Sequence, residues 1–164
     1  SRSWPRNRMK ATHLPKNTPH DLKLLHEQVT TKLSQANYRY TDNRRRLVET
    51  LARYGRPVTL PDIINAEPAL AQSSIYRNLE LLENIGVTCR IAVGSEHAHF
   101  ELAEQLVGHH HHLICKACGT VQDVHLDLQI ESLLEESLAQ IASRANFAPL
   151  HHTLDLHGRC ADCK

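Results

Sequence analysis

The sequence predicts an α+β fold in two parts, a helical front part and a back part in which strands surround one long helix. In the front part, helical segments with amphipathic spacing lie between 19 and 85. In the back part, short apolar runs predict strands, and a helical pattern extends from Asp127 to Asn146. Two CxxC pairs, one inside the back part and one at its end, predict a metal site that joins them.

Three consecutive arginines open the second predicted helix. The first two helices are expected at 19–36 and 42–54, and Arg44, Arg45 and Arg46 lie in the first turn of the second. Positive charge at a helix N-terminus opposes the helix dipole. We therefore interpret these residues as facing phosphate, with an ordinary solvated face as the alternative.

A short helix at 59–66, a turn and a longer helix form a helix-turn-helix pattern. The longer helix is predicted to be capped by Ser73 and Ser74. In this motif the first turn of the second helix enters the major groove of DNA, and here it presents Ser73, Ser74, Tyr76 and Arg77. Hydroxyl groups, a phenol and a guanidinium suit contacts to phosphates and base edges.

A two-stranded hairpin follows the longer helix. VTCRIAV and HAHFEL have strand patterns, and Gly94 and Ser95 form the turn between them. A hairpin at this place is a wing, so the front part is predicted to be a winged-helix DNA-binding domain. The period of two puts His97, His99 and Glu101 on one face of the second strand, either as metal ligands or as a solvated face.

The four cysteines of the CxxC pairs are Cys115, Cys118, Cys160 and Cys163. Each pair lets one tight turn present two sulfurs to one ion, so the set predicts a tetrahedral structural zinc. The alternatives are exposed cysteines that bind nothing, or disulfides.

The long helix of the back part is apolar along one face. Strand edges and this face could pair with a second copy of the chain, so we expect a homodimer. The apolar positions are Ile130, Leu133, Leu134, Leu138, Ile141 and Ala145.

The charge is distributed unevenly between the two parts. Residues 1–88 hold 14 Lys and Arg against 8 Asp and Glu, whereas residues 89–164 hold 5 against 10. A basic front part suits a polyanion, and an acidic back part suits cations. No stretch reaches the length of a membrane span. Five cysteines without an apolar N-terminal run predict a cytoplasmic protein.

Several motifs occur together between Tyr38 and Cys163, namely TDNRRRL, SSIYRNLELLENIGVT, FEL, HHHHLICKACGTVQD, IE at 130–131 and HHTLDLHGRCADC. Jointly they resemble the ferric uptake regulator family of metal-dependent transcriptional repressors. The resemblance implies a dimer that binds palindromic operator DNA, and neither an enzyme with a small-molecule substrate nor a membrane protein.

The chain is accordingly divided into three segments. A basic flexible arm is expected at 1–17, and a winged-helix DNA-binding domain at 18–88, with its wing and hinge continuing to 103. A C-terminal α/β dimerisation and metal-binding domain, which contains the four-cysteine zinc site, is expected at 104–164.

The resemblance also implies two further metal sites, which share the run of four histidines. Because successive side chains of a strand point to opposite faces, His110 and His112 are assigned to a regulatory site and His109 and His111 to a third site. Glu131 and His152 complete the third site in the family pattern.

The regulatory site departs from the iron-sensing pattern, because GRPVTL at 55–60 lacks the histidine that iron sensors carry there. Cys89 matches a position where zinc-sensing members have a ligand, and a thiolate favours zinc over iron or manganese. The expected regulatory ligands are Cys89, Glu101, His110 and His112, with His99 and Asp123 as alternatives. Zn²⁺ is the expected effector, and Fe²⁺ or Mn²⁺ the alternative at the non-structural sites.

Two other classes of protein compete with this interpretation. In a zinc deaminase, His99 and Glu101 would supply the H-x-E motif and Cys115 and Cys118 the C-x-x-C motif. That interpretation lacks the proline before Cys115 and leaves the second CxxC without a role. In a DNA-binding protein with a structural zinc alone, the histidines would be surface residues.

Overall fold

The computed structural model describes residues 19–91 and 98–164 and contains two three-stranded sheets with helices around them. This arrangement confirms the predicted α+β class. The predicted arm at 1–17, the turn at Gly94 and Ser95, and His97 lie outside the described residues.

Four helices form the front of the molecule: α1 (Pro19–Gln35), α2 (Asp42–Tyr54), α3 (Leu60–Ala66) and α4 (Gln72–Asn84). Their apolar faces meet in the principal core, because α1, α2 and α4 repeat buried residues every three or four positions and α3 adds Ile63. Burial of these side chains away from water is the main stabilising contribution. The core includes Val29, Leu33, Leu47, Val48, Leu51, Ile63, Ile75, Leu79 and Leu82.

The helix ends show which start and stop signals operate. Thr41 caps α2 by accepting a hydrogen bond from the Arg44 N–H, and Gly55 ends that helix in the left-handed conformation at φ 59°. The prediction that Ser73 and Ser74 cap α4 is wrong. That helix begins at Gln72 after Ala71, without a side-chain cap, so both serines lie inside its first turn.

The first sheet, which we call the wing sheet, follows the helices. It has the order β1-β3-β2, in which β1 (Val58–Thr59) and β2 (Thr88–Ile91) both pair antiparallel with β3 (His99–Leu102). The expected hairpin after α4 is therefore present as β2 and β3. The short strand β1 is not evident in the sequence because two residues carry no periodicity.

The second sheet, the rear sheet, has the order β5-β4-β6. Its centre is β4 (His111–Cys115), which pairs antiparallel with β5 (Val121–Val124) and parallel with β6 (Asp155–Gly158). A short helix, α5 (Glu104–Val107), links the wing sheet to β4. The sequence LHHTLDLHG at 150–158 predicts one strand, but only its last four residues form β6 and pair along β4.

The long helix α6 (Leu128–Arg144) lies between β5 and β6 in the chain, and Asp127 caps it. Several of its apolar side chains are exposed in the single chain, as are those of β6 and the segment before it. The exposed large apolar residues of this region are Leu128, Ile130, Leu133, Ile141, Phe147, Leu150, Leu154 and Leu156.

Among the described helices, none combines the length and the apolar character that a membrane span requires.

Candidate metal centres and nucleic-acid interface

Three groups of metal-ligating side chains converge in the back of the molecule, each with one donor atom per residue and all donors within 4.8 Å of one another. We call them the cysteine cluster (Cys115, Cys118, Cys160 and Cys163), the hinge cluster (Glu101, His110, His112 and Asp123) and the third cluster (His109, His111, Glu131 and His152).

The cysteine cluster joins the ends of two neighbouring strands. Cys115 ends β4, and Cys160 follows β6, so the pairing of these strands brings the two CxxC turns together. All four cysteines are free thiols, and the Sγ atoms of Cys118 and Cys160 are 3.7 Å apart. Sulfurs around a tetrahedral zinc with bonds of about 2.3 Å are roughly 3.8 Å apart. The donor set therefore fits a structural zinc, and the cysteines form no disulfide.

The histidine run divides between the two other clusters, as the strand alternation predicts. His110 and His112 face the wing sheet, whereas His109 and His111 face α6. His109 and His110 precede β4, which begins at His111. Their side chains nevertheless continue the alternation, because they belong to different clusters. One strand thus supplies ligands to two sites on opposite faces.

Glu101 is the centre of the hinge cluster. It extends from β3 of the wing sheet, and its Oε1 lies 3.0 Å from the Nε2 atoms of both His110 and His112. Glu101 is buried, and the two histidine side chains are only 5% and 10% exposed. The hinge cluster therefore connects the wing sheet to the rear sheet through short polar contacts.

The charges of this cluster depend on one another. Burial alone would raise the pKa of Glu101, but the hydrogen bonds and charges of His110 and His112 lower it to about 2. Burial alone would lower the pKa of His110, but the Glu101 carboxylate and the Gly108 carbonyl raise it to about 9. Glu101 raises the pKa of His112 in the same way, against the effect of burial. In the metal-free site, the Glu101 carboxylate and the protonated imidazoles therefore stabilise one another.

Asp123 provides the test of whether a metal fits this site. Its Oδ1 is buried and has no hydrogen-bond partner among the residues that the structure describes. That atom lies 3.9 Å from His110 Nε2 and 3.8 Å from His112 Nε2. A buried carboxylate oxygen without a donor is costly, and a cation between these atoms would satisfy it. The two imidazoles and two carboxylates fit a divalent transition metal.

Burial and the charge of Glu101 raise the pKa of Asp123 to about 7. A cavity of about 510 Å³ between α1, α2 and α5 has Glu101 and Asp123 in its lining.

The structure does not bring Cys89 into the four-donor group, contrary to the predicted ligand set. Cys89 pairs with Glu101 across β2 and β3, and its thiol donates a hydrogen bond of 3.7 Å to Glu101 Oε1. Burial, followed by the charge of Glu101, raises the pKa of Cys89 to about 12. Among the two alternatives, Asp123 joins the group and His99, although buried, does not. The rear sheet supplies the fourth donor because β5 lies beside β4.

Glu131 is the centre of the third cluster. Its two carboxylate oxygens lie 2.9 Å from His109 Nε2 and 2.8 Å from His111 Nε2, and its Oε1 lies 3.2 Å from His152 Nε2. Burial alone would raise the pKa of Glu131, but the three imidazoles lower it. Three imidazoles and one carboxylate around a common point fit a four-coordinate zinc. The predicted set of residues therefore converges as expected.

The three arginines of α2 have different roles. Arg46 binds the buried carboxylate of Glu67, with contacts of 3.0 Å from Nε and 2.9 Å from its Nη2 atom. Arg44 donates to Asn78 Oδ1 at 3.0 Å and so links α2 to α4. Arg45 is exposed, and its guanidinium lies 4.7 Å from the centre of the Tyr40 ring. Arg44 and Arg46 thus have polar protein partners, whereas Arg45 lies exposed against an aromatic ring.

The first two turns of α4 contain the predicted contact residues. Ser73, Tyr76 and Arg77 are exposed, with Tyr76 at 58%. Ser74 is half-buried, and its hydroxyl accepts hydrogen bonds from the side-chain amides of Asn43 and Asn78. Ser74 therefore positions the helix rather than lying free at the surface.

Sequence reasoning missed two carboxylates that touch the ligating histidines. Glu104 contacts Nδ1 of His109, and Asp155 Oδ1 lies 3.1 Å from Nδ1 of His112. Glu104 is five residues from its partner, so a local contact was detectable in principle. Asp155 is 43 residues from His112, and only the parallel pairing of β4 with β6 brings them together.

Comparisons with known proteins agree with this architecture. The model of the ferric uptake regulator family matches residues 35–157. The ferric uptake regulation protein of Campylobacter jejuni is 32% identical over 157 residues, which cover 92% of this chain and 94% of that protein.

Two solved structures show the same fold. The Helicobacter pylori ferric uptake regulator, described as having three functional metal binding sites, aligns with a TM-score of 0.68 at 21% identity. That alignment covers 87% of this chain and 93% of the other. A zinc uptake regulator complexed with zinc and DNA aligns with a TM-score of 0.54 at 22% identity, over 88% of this chain and 95% of the other.

Proposed function

We propose, from the premise that this chain belongs to the ferric uptake regulator family, that it represses transcription when zinc occupies the hinge cluster. The family consists of metal-responsive transcriptional regulators, so this chain is a metal-responsive regulator. The proposal concerns the identity of the effector metal, the residues that bind it and the effect of the bound ion on the two sheets. The proposed domains are those expected from the sequence, with a boundary near residue 103.

The observation that carries the proposal is the position of Glu101. It belongs to the wing sheet, whereas the other three hinge donors belong to the rear sheet or to the segment leading into it. An ion held by all four would restrain one sheet relative to the other. In a dimer, this restraint would set the distance between the two α4 helices and so the fit to a palindromic operator.

Zinc is the preferred effector for two reasons. For a given set of nitrogen and oxygen donors, affinity is higher for zinc than for Mn²⁺ or Fe²⁺. In addition, the Cys89 thiol lies 3.7 Å from Glu101 Oε1, close enough to offer sulfur after a small rearrangement.

Iron or manganese is the second candidate, and a specific observation favours it. The four donors of the hinge cluster contain no sulfur, and imidazole with carboxylate also suits Fe²⁺ and Mn²⁺. The Campylobacter jejuni relative at 32% identity is named as a ferric uptake regulation protein. Metal supply in the cell would then decide between the ions.

We propose a homodimer formed through α6 and the outer edge of the rear sheet. Leu133 and Ile141 are 62% and 61% exposed in the single chain, and Leu156 on β6 is 66% exposed. A large exposed apolar surface of this kind is usually an interface. Among the described strands β6 is the outer one of its sheet, so the backbone groups on its outer edge are available to a second copy.

The DNA-contacting surface that we propose consists of Arg45 on α2 and Ser73, Tyr76 and Arg77 on α4. These four side chains are exposed, whereas Arg44 and Ser74 support the surface from behind. A zinc deaminase is not supported, because Cys115 and Cys118 meet two further cysteines and leave no open position for a catalytic water.

The test compares operator affinity with the hinge cluster empty and filled while the cysteine cluster keeps its zinc. A duplex selected from random palindromes would be titrated by fluorescence anisotropy at fixed salt and buffered free zinc. A coupling of ~1–3 kcal/mol predicts about 5–150-fold tighter binding with zinc. Parallel titrations with Fe²⁺ and Mn²⁺ show whether the gain in operator affinity is specific to zinc, and an equal gain with either ion would mean that metal supply selects the effector. Equal affinity with and without hinge metal would contradict the proposal.

A further inference from the structure

The two hinge histidines are oriented by different kinds of group. His110 has its Nδ1 at 2.9 Å from the carbonyl oxygen of Gly108, two residues away in its own segment. His112 has its Nδ1 at 3.1 Å from Oδ1 of Asp155, a carboxylate on another strand. In both residues the Nδ1 contact leaves Nε2 directed at Glu101.

We propose that Asp155 is a positioning residue that holds the His112 ring in the orientation in which Nε2 binds the hinge metal. The inference rests on the proposed hinge site and adds a residue outside its four donors. A carboxylate on the second nitrogen of a ligating histidine fixes its tautomer and orientation and makes it a better donor to the metal.

The geometry of the rear sheet explains why Asp155 can do this. His112 and Asp155 are register partners in the parallel pairing of β4 with β6, and the His112 N–H donates to the carbonyl of Leu154 at 3.1 Å. The His112 side chain is 10% exposed and that of Asp155 is 36% exposed. The His112 imidazole thus lies between the buried carboxylate of Glu101 and the partly solvated carboxylate of Asp155.

The same two strands end at the cysteine cluster. Cys115 pairs with Gly158, the Lys116 N–H donates to the Gly158 carbonyl at 2.8 Å, and the Cys160 N–H donates to Cys115 Sγ at 3.3 Å. All four residues of β6 are exposed in the single chain, so side-chain burial contributes little to their position. Structural zinc at the cysteines therefore helps to maintain the register that places Asp155 beside His112.

The test measures hinge-metal affinity in full-length dimer that keeps its structural zinc. Co²⁺ would be titrated into the parent, Asp155→Ala and Asp155→Asn, with its visible absorption as the spectroscopic signature, and zinc affinity measured by chelator competition. Loss of an outer carboxylate typically weakens binding about 10–100-fold, which we expect for Asp155→Ala. Asp155→Asn should lose less, because its amide oxygen still accepts from Nδ1. The exposed Glu27→Gln change on α1 is the matched control and should leave the affinity unchanged.

Two results would overturn the inference. One is a hinge affinity in Asp155→Ala equal to that of the parent. The other is loss of structural zinc or of thermal stability in both Asp155 variants, which would mean that Asp155 supports the strand and not the imidazole. Glu101→Gln, titrated beside them, separates this failure from that of the proposed function. If that variant also binds metal like the parent, the hinge site itself is wrong.

Discussion

The cysteine cluster and the hinge cluster differ in what they connect. Cys115 ends β4 and Cys160 follows the neighbouring strand β6, so a metal there would join parts of one sheet. Glu101 comes from the wing sheet and His112 from the rear sheet, so a metal there joins two sheets. An ion within one sheet stabilises the fold, whereas an ion between two sheets selects their arrangement. Four predictions examine this difference.

The largest effect is expected from Cys118→Ser. Removing one thiolate from the cysteine cluster opens a site whose zinc binding in comparable small sites is worth about 10–16 kcal/mol. We expect loss of the tight zinc, a large drop in melting temperature and loss of the dimer, measured by metal analysis, calorimetry and sedimentation. Cys89→Ser is the matched control, since Cys89 lies outside the cysteine cluster, and should keep the tight zinc. A stable dimeric Cys118→Ser protein would remove the basis of the comparison.

The second effect is expected from Glu101→Gln. It removes the anion that both hinge histidines share, so the affinity of the hinge cluster for metal should fall by more than about a hundredfold. This loss exceeds the effect of about 10–100-fold that is usual for a residue that contacts a ligand and not the metal itself. Operator affinity should then no longer respond to added metal, while the tight zinc and the dimer persist. Chelator competition and anisotropy measure the two quantities. A variant that lost the dimer would instead show that the hinge cluster is part of the fold.

The third prediction concerns pH. The pKa of His110 is raised to about 9, so near pH 7 the metal-free site carries a proton that the ion must displace. Below that pKa, each displaced proton lowers the apparent affinity about tenfold per pH unit of acidification. Hinge affinity measured by chelator competition should therefore fall from pH 8 to pH 7 by at least this factor. A flat profile would mean that the imidazoles are already neutral.

The smallest effect on DNA binding is expected from Glu131→Gln. The third cluster joins β4, α6 and the segment before β6, all on the rear side of the molecule. Its metal should be lost, yet operator affinity should change by less than about threefold, below the usual range of coupling between sites. Anisotropy and metal counting test this. A large loss of DNA binding would place the third cluster with the hinge cluster as a sensor.

The sequence predicted most of the site because its signals are local. CxxC spacing identifies the cysteine cluster, and strand alternation assigns each histidine to a face. What failed depends on contacts between distant segments. Asp123, one of the two predicted alternatives, lies with the hinge donors and Cys89 outside them because β5 lies beside β4, and Arg46 faces Glu67 because the turn after α3 folds against α2. Neither contact can be predicted from hydrophobic periodicity in the sequence.

The fold shows the same division. Helices α1 to α4 were predicted to within a few residues because apolar periodicity and caps mark them. The start of α4 was misplaced since two serines are good caps in isolation, yet the helix begins one residue before them. The length of β6 was overestimated because residues 150–154 resemble a strand in sequence, yet the pairing with β4 begins at Asp155.

The alternation of histidines along β4 also limits how this region can evolve. Deleting one residue between Gly108 and Leu113 would turn every histidine on the N-terminal side of the deletion to the other face, exchanging donors between the hinge and third clusters. Substitutions can adjust one site at a time, but insertions and deletions here alter both at once. The length of this segment is therefore as strictly constrained as the identity of its residues, and loop-length variation should be confined to its flanks.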